Sequence, residues 1–114
     1  MAFFTYIMAS GPHGTLYTGQ TDDIARRAWE HREKVQPGFT RKYGVSRLVW
    51  YEAHESREAA VIREKQIKAW KRRWKIEMIQ SGNPTWRDLY EELYGLPEGQ
   101  APLVLDDKPI PEPR

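Results

Sequence analysis

The stretch Phe3–His31, FFTYIMASGPHGTLYTGQTDDIARRAWEH, decides the reading of this chain. Phe3 to Ala9 alternates, with Phe4, Tyr6 and Met8 on one face and Phe3, Thr5 and Ile7 on the other. These residues favour extended backbone, so the segment reads as a strand. Gly11, Pro12 and Gly14 punctuate a turn, and Thr15–Gly19 alternates again. That pattern predicts a β-hairpin with a loop of about five residues. Gly19, at the end of the second strand, suits a bend or the close approach of another backbone or a ligand. Thr21 and Asp22 are good N-caps for a helix from Asp23 to about Lys34, whose inner side carries Ile24 and Ala28. Asp23, Arg27 and His31 fall at successive i,i+4 positions and form one polar stripe beside it.

Working outward, 114 residues make one domain with a single core. There is no cysteine, which excludes a disulfide framework and a thiolate metal site. The N-terminus MAFFTYIMAS has no basic leader, and its apolar run is too short for a signal peptide or a membrane span. A cytoplasmic protein is expected. The net charge of +2 conceals a division: residues 1–80 hold 15 Lys/Arg against 9 Asp/Glu, and residues 81–114 hold 3 against 7. A basic, tryptophan-rich body suggests a polyanionic partner, although excess cations also serve solubility.

Gln36–Gly44 reads as a loop bearing Arg41 and Lys42, and Arg47–Glu52 as a third strand. The apolar run of that strand suggests burial on both faces and hence a central position. Ser56 caps a second helix from Arg57 to about Trp70, on which Ala60, Val61, Glu64 and Ile67 share one stripe. Glu64 sits near the middle of it. An ionised carboxylate there needs a cation or hydrogen bonds, unless it pairs with Arg63 or Lys68 or turns to solvent. The basic segment KAWKRRWKIEMI predicts a third helix broken from the second near Lys71, with Trp70 and Trp74 in the core. Its cations either contact phosphates or form a solvated face. Asn83-Pro84 is expected to open a last helix, Thr85–Tyr94, ended by Gly95. From Leu96 onward five prolines and several acids appear without periodicity, so the domain is placed at residues 1–95 and a disordered acidic tail at 96–114.

The order hairpin, helix, strand, helices predicts a small α/β (α+β) domain around a three-stranded sheet. No glycine-rich loop joins a strand to a helix in the phosphate-cradling pattern, and His13, His31 and His54 lack metal-ligand spacing. Two tyrosines, an arginine, a histidine and an inward glutamate remain, and each has a role in cleaving a phosphodiester. Arginine neutralises the scissile phosphate, and glutamate can hold Mg²⁺ together with water and phosphate oxygens. Tyrosine accepts a proton only where Arg27, His31 or the metal favours the phenolate. Strand tyrosines also serve as plain packing residues.

The ordered set resembles the GIY-YIG nuclease superfamily, and in particular its small stand-alone bacterial members, similar to the nuclease domain of the excision-repair incision subunit. The first motif stands as Phe4-Thr5-Tyr6, keeping only its tyrosine, and the second as Tyr17-Thr18-Gly19. TDDIARRAWEH then matches the helix bearing the catalytic arginine, Arg27, and the helical histidine, His31. REKQIKAW resembles the segment of the metal-binding glutamate, Glu64, and Asn83 matches an asparagine that closes the site. The resemblance implies a mixed sheet carrying the tyrosines, with Arg27 and Glu64 arriving from separate helices. It further implies one Mg²⁺ or Mn²⁺ ion and hydrolysis of DNA in repair or recombination. Tyr6 is favoured as base, with Tyr17 orienting water or phosphate and Gly19 supporting. Arg41, Lys42 and Lys68 are expected to contact the nucleic-acid backbone, with targeting left to a possible protein partner. The alternative is a non-catalytic nucleic-acid-binding module on the same scaffold.

Overall fold

The hairpin forms where the alternation places it. In the computed structural model, which describes residues 2–32 and 42–93, strand β1 (Phe3–Ala9) pairs antiparallel with β2 (Leu16–Thr21). The turn between them is closed by Ser10 N–H donating to Thr15 O at 3.0 Å and by Thr15 N–H donating to Ser10 Oγ at 2.9 Å. His13 takes a left-handed φ of 56° at its tip.

Strand β1 also pairs antiparallel with β3 (Arg47–His54), giving the order β2-β1-β3. Two expectations are corrected here. The sheet is antiparallel throughout rather than mixed, and β1, not β3, is central. The apolar run of β3 has another cause. A register shift opposite Ile7/Met8 pairs Trp50 with Ile7 and Leu48 with Met8, leaving Val49 as the extra residue of a bulge. Leu48 and Tyr51 therefore join the core on one side of the sheet, and Val49 and Trp50 join the core on the other.

Helix α1 (Ile24–Arg32) starts at Asp23, whose carboxylate accepts the Arg26 N–H at 3.1 Å. The remainder of that expected helix, and Arg41, lie outside the described residues. Helix α2 (Arg57–Ala69) is capped by Ser56, which accepts the Ala59 N–H at 3.1 Å. Trp70 and Lys71 are both extended, with ψ of 153° and 147°, so the predicted break is real and α3 (Arg72–Gly82) begins a new direction. Trp70 is buried and Trp74 packs partly buried beside it.

The last helix is α4, Tyr90–Leu93, instead of one starting at Thr85. Asn83 is the C-cap of α3: its N–H donates to Ile79 O at 2.8 Å. Its amide then clamps the following loop, accepting from Arg87 N–H at 3.1 Å and donating to Arg87 O at 2.9 Å and Val49 O at 3.3 Å. Trp86 inside that loop has a φ of 59°, which no helix can include.

The sheet thus separates two apolar layers. Phe4, Tyr6, Met8, Ile24, Ala28, Val45, Leu89 and Leu93 pack on the α1 side. Ile7, Ile67, Trp70, Met78, Ile79 and Trp86 pack on the α2–α3 side. Among the described residues no helix is long and apolar enough to cross a membrane.

Candidate active site

Tyr6 stands directly across from Gly19 in the β1–β2 register, and Tyr17 lies two residues earlier on the same face. The opposition explains the glycine. A Cβ at Gly19 would lie 2.6 Å from Tyr6 Oη and 2.7 Å from its Cζ, so only hydrogen leaves room for the phenol to lie over β2. Helix α1 brings two further groups to the same place. His31, one turn after Arg27, is buried, and its Nε2 lies 3.1 Å from Tyr6 Oη. The three rings form a triangle, with centroid distances of 6.3 Å for Tyr6–Tyr17, 5.8 Å for Tyr6–His31 and 5.4 Å for Tyr17–His31.

Arg27 lies close enough to Tyr6 to favour its phenolate and is held from behind by Glu30, with Nη1 3.2 Å from Glu30 Oε1. Glu64 approaches from α2, near enough for its charge to act on the Tyr6 phenol. Two tyrosines, Arg27, His31 and Glu64 are therefore drawn together from four elements.

Burial dominates the electrostatics. Desolvation, then the neighbouring Tyr17 and Glu64, push the Tyr6 phenol above its ordinary range, while Arg27 opposes them. Burial, then the positive charge of Arg27, push His31 down to about 4, with Glu30 opposing. His31 is thus neutral at physiological pH and contributes a lone pair or an N–H, but no charge. Of the two protein cations expected to favour the phenolate, only Arg27 does so. Tyr6 is 1% exposed, and Tyr17 keeps part of its surface open.

A family model for the GIY-YIG catalytic domain matches residues 2–77, a span containing all five clustered residues. The chain belongs to the GIY-YIG family. Its curated relatives include a UPF0213 protein of Haloquadratum walsbyi, 37% identical over 68 residues, which are 60% of this chain and 76% of that protein. A UPF0213 protein of Staphylococcus epidermidis is 33% identical over 79 residues, 69% of this chain and 95% of that one. The solution structure of a UPF0213 protein from Bacillus halodurans aligns with 93% of this chain and 100% of its own, at 30% identity and a TM-score of 0.44. GIY-YIG domains are nucleases, which act on nucleic acid and generally use a divalent metal.

The donor set of this GIY-YIG domain offers a divalent ion one carboxylate. No cluster of three or more metal-binding side chains exists among the described residues. Glu64 is a single carboxylate with 18% of its side chain exposed, and Lys68 Nζ holds it at 2.8 Å. It therefore sits at the border of the helix's inner stripe, which centres on buried Ala60 and Ile67, and the pairing with Lys68 is the one weighed from the sequence. One carboxylate fits Mg²⁺, which keeps several waters and completes its shell with substrate phosphate oxygens.

The opposite face of β1 fixes where Glu64 stands. Thr5, fully buried, donates from Oγ1 to Ala60 O at 2.9 Å, one helical turn before Glu64. Its proton being used there, Thr5 Oγ1 accepts from His54 Nε2–H at 3.1 Å. His54 Nε2 is also 3.2 Å from Glu52 Oε1, and Arg63 Nε donates to that same oxygen at 3.1 Å. This chain of contacts ties α2 to β1 and β3. Sequence pattern alone assigns no such contact to Thr5, Glu30, Glu52 or His54, and offers Arg63 as a partner of Glu64 rather than of Glu52. The available signal was Thr5 itself, a polar residue on the inward face of an otherwise apolar strand.

Asn83 is buried in the α3–β3 junction, and each of its hydrogen bonds goes to backbone there. The family match also ends before it. Lys42 is exposed, with Nζ 5.4 Å from the Tyr43 ring centroid. Lys68 lies at the cluster through Glu64.

Proposed function

We propose that this GIY-YIG domain is a divalent-metal-dependent endonuclease that hydrolyses DNA phosphodiester bonds, in repair or recombination. The observation that carries the reading is the gathering of Tyr6, Tyr17, Arg27 and His31 on the α1 face of the β1–β2 hairpin, with Glu64 of α2 near enough for its charge to act on Tyr6. Arg27, held by Glu30 beside Tyr6, offers its other guanidinium N–H groups to the scissile phosphate. Tyr17, the more open phenol, orients the attacking water. As the new P–O bond forms and the bond to the leaving sugar oxygen breaks, the water's proton passes to the phenol pair. The neutral imidazole of His31, in contact with Tyr6 Oη, is the acceptor behind that pair. Mg²⁺ or Mn²⁺ held by Glu64, with water and phosphate oxygens, would supply Lewis-acid stabilisation of the leaving oxygen.

The test is cleavage of supercoiled, single-stranded and branched DNA by the purified chain, with Mg²⁺ or Mn²⁺ and with EDTA. Metal-dependent cleavage lost in both Glu64→Ala and Arg27→Ala supports the reading. Cleavage that persists in both variants, or binding without cleavage on every substrate, sinks it, the latter leaving a nucleic-acid-binding module.

A further inference from the structure

A second charged feature adjoins the cluster. Lys68 closes α2, and Arg72 and Lys75 lie in the first turn of α3 beyond the Trp70–Lys71 break. Arg72, one helical turn before it, and Lys68, across the break, both act by charge on half-buried Lys75. Burial first, then Arg72 and Lys68, make its ammonium easier to deprotonate than usual. Arg72 is pinned, donating from Nη2 to the carbonyls of His13 at 2.7 Å and Gly14 at 2.6 Å. Those carbonyls orient its guanidinium without neutralising it. Half-burying an ammonium beside two like charges is unfavourable within the protein, and a phosphate relieves it. Lys68 connects this group to Glu64, and as an exposed i,i+4 pair that contact is weak and easily exchanged.

We propose that Lys68, Arg72 and Lys75 form a phosphate-binding surface that carries the nucleic-acid strand from Glu64 across the start of α3 towards the hairpin tip at His13. Lys68 is the shared member. A divalent cation arriving at Glu64 displaces it, and the freed ammonium turns to the phosphate next to the scissile one. Metal and strand then engage together, with no net positive charge left stranded on α2. The proposal takes its occupant, a nucleic-acid strand, from the nuclease reading above, but its test needs no cleavage.

Binding of fluorescently labelled single-stranded and duplex DNA is measured by anisotropy over a salt series, with Ca²⁺ present as the divalent ion for Glu64. The variants are Lys75→Gln, Lys68→Gln and their combination, with Arg87→Gln as control because that side chain pairs with Glu92. Arg72 is left in place because it holds the hairpin. The double variant is expected to bind at least about tenfold more weakly. Its slope of log K against log salt should be shallower by about 0.9 per lost duplex contact. Arg87→Gln should leave both unchanged. Affinity and slope equal to wild type in a double variant with unaltered melting overturn the proposal. So does an equal loss in Arg87→Gln, which would mark a general charge effect. Mn²⁺ titration followed by electron paramagnetic resonance tests the exchange at Glu64: Lys68→Gln should bind Mn²⁺ more tightly than wild type, and unchanged or weaker binding excludes Lys68 as the displaced group. A chain that loses DNA affinity in the double variant but never cleaves would retain this surface and lose the nuclease reading.

Discussion

On the α1 side of the sheet, Tyr6 and His31 are buried against each other and Arg27, and His31 Nδ1 has no hydrogen-bond partner among the described residues. On the α2 side, Thr5, His54, Glu52 and Arg63 form a continuous chain of contacts that ends on the backbone of Ala60. Adjacent residues of one strand, Thr5 and Tyr6, begin the two arrangements. A satisfied buried network fixes geometry, whereas an incompletely satisfied one retains donors, acceptors and shifted pKa values that a substrate can use. The domain thus places its rigid polar network behind the sheet and its reactive one in front.

Removing the front-side cation tests this division most severely. Arg27→Ala is expected to lower the cleavage rate on supercoiled plasmid by about 10²–10³-fold, the range for losing one preorganised donor to a developing charge. Its urea midpoint should change little, because Arg27 is a third exposed and its ion pair with Glu30 is local. A comparable loss of stability would show that Arg27 belongs to the scaffold.

Thr5→Val breaks the rear network while keeping its shape. We expect about 1–3 kcal/mol of destabilisation in urea unfolding, the cost of leaving buried polar groups without a partner. Thr5→Ser should restore most of it. Since Glu64 follows Ala60 by one turn, Thr5→Val should also weaken Mn²⁺ binding. If metal affinity is untouched, the clamp is structural only.

Acidification tests the front face by titration. His31 has a folded pKa of about 4, below the unfolded value of 6.5, so the unfolded chain binds more protons between those values. Stability from neutral His31 is therefore complete above about pH 6.5 and is lost as pH falls towards 4. His54 is shifted in the same direction, by burial first, and adds to the loss. Melting temperatures of wild type and His31→Gln should converge between those limits; parallel curves would place the titrating group elsewhere. The smallest effect belongs to Asp22 and Arg57, whose exposed ion pair at 3.2 Å joins the start of α1 to α2. Arg57→Gln should stay within about 0.5 kcal/mol of wild type in the same unfolding assay.

The hairpin, the Ser56 cap and the break near Lys71 were legible in the sequence because each is set by neighbours within a few residues. The position of β3 was not. A strand at a sheet edge that contains a bulge and is covered on both sides has the same apolar run as a central one, and the bulge at Val49 depends on pairing with β1, more than forty residues away. Asn83 illustrates the same limit. Asn followed by Pro starts helices well, yet the amide found better partners in Val49 and Arg87 and ended α3 instead. For the candidate site, periodicity put Glu64 near the middle of the inner stripe of α2, whereas it stands at the border, where Lys68 holds its carboxylate.

The extended step at Trp70 and Lys71 has a consequence for local opening. It divides what could have been one long rod into helices of 13 and 11 residues, each near or below the length at which an isolated helix persists in water. Neither half can be held by the other through a shared hydrogen-bond ladder, so each owes its order to the sheet. Amide hydrogen exchange should therefore report α3 as a unit able to open while the Tyr6–His31 contact stays closed. A bound strand should slow exchange in α3 before it slows exchange in β1.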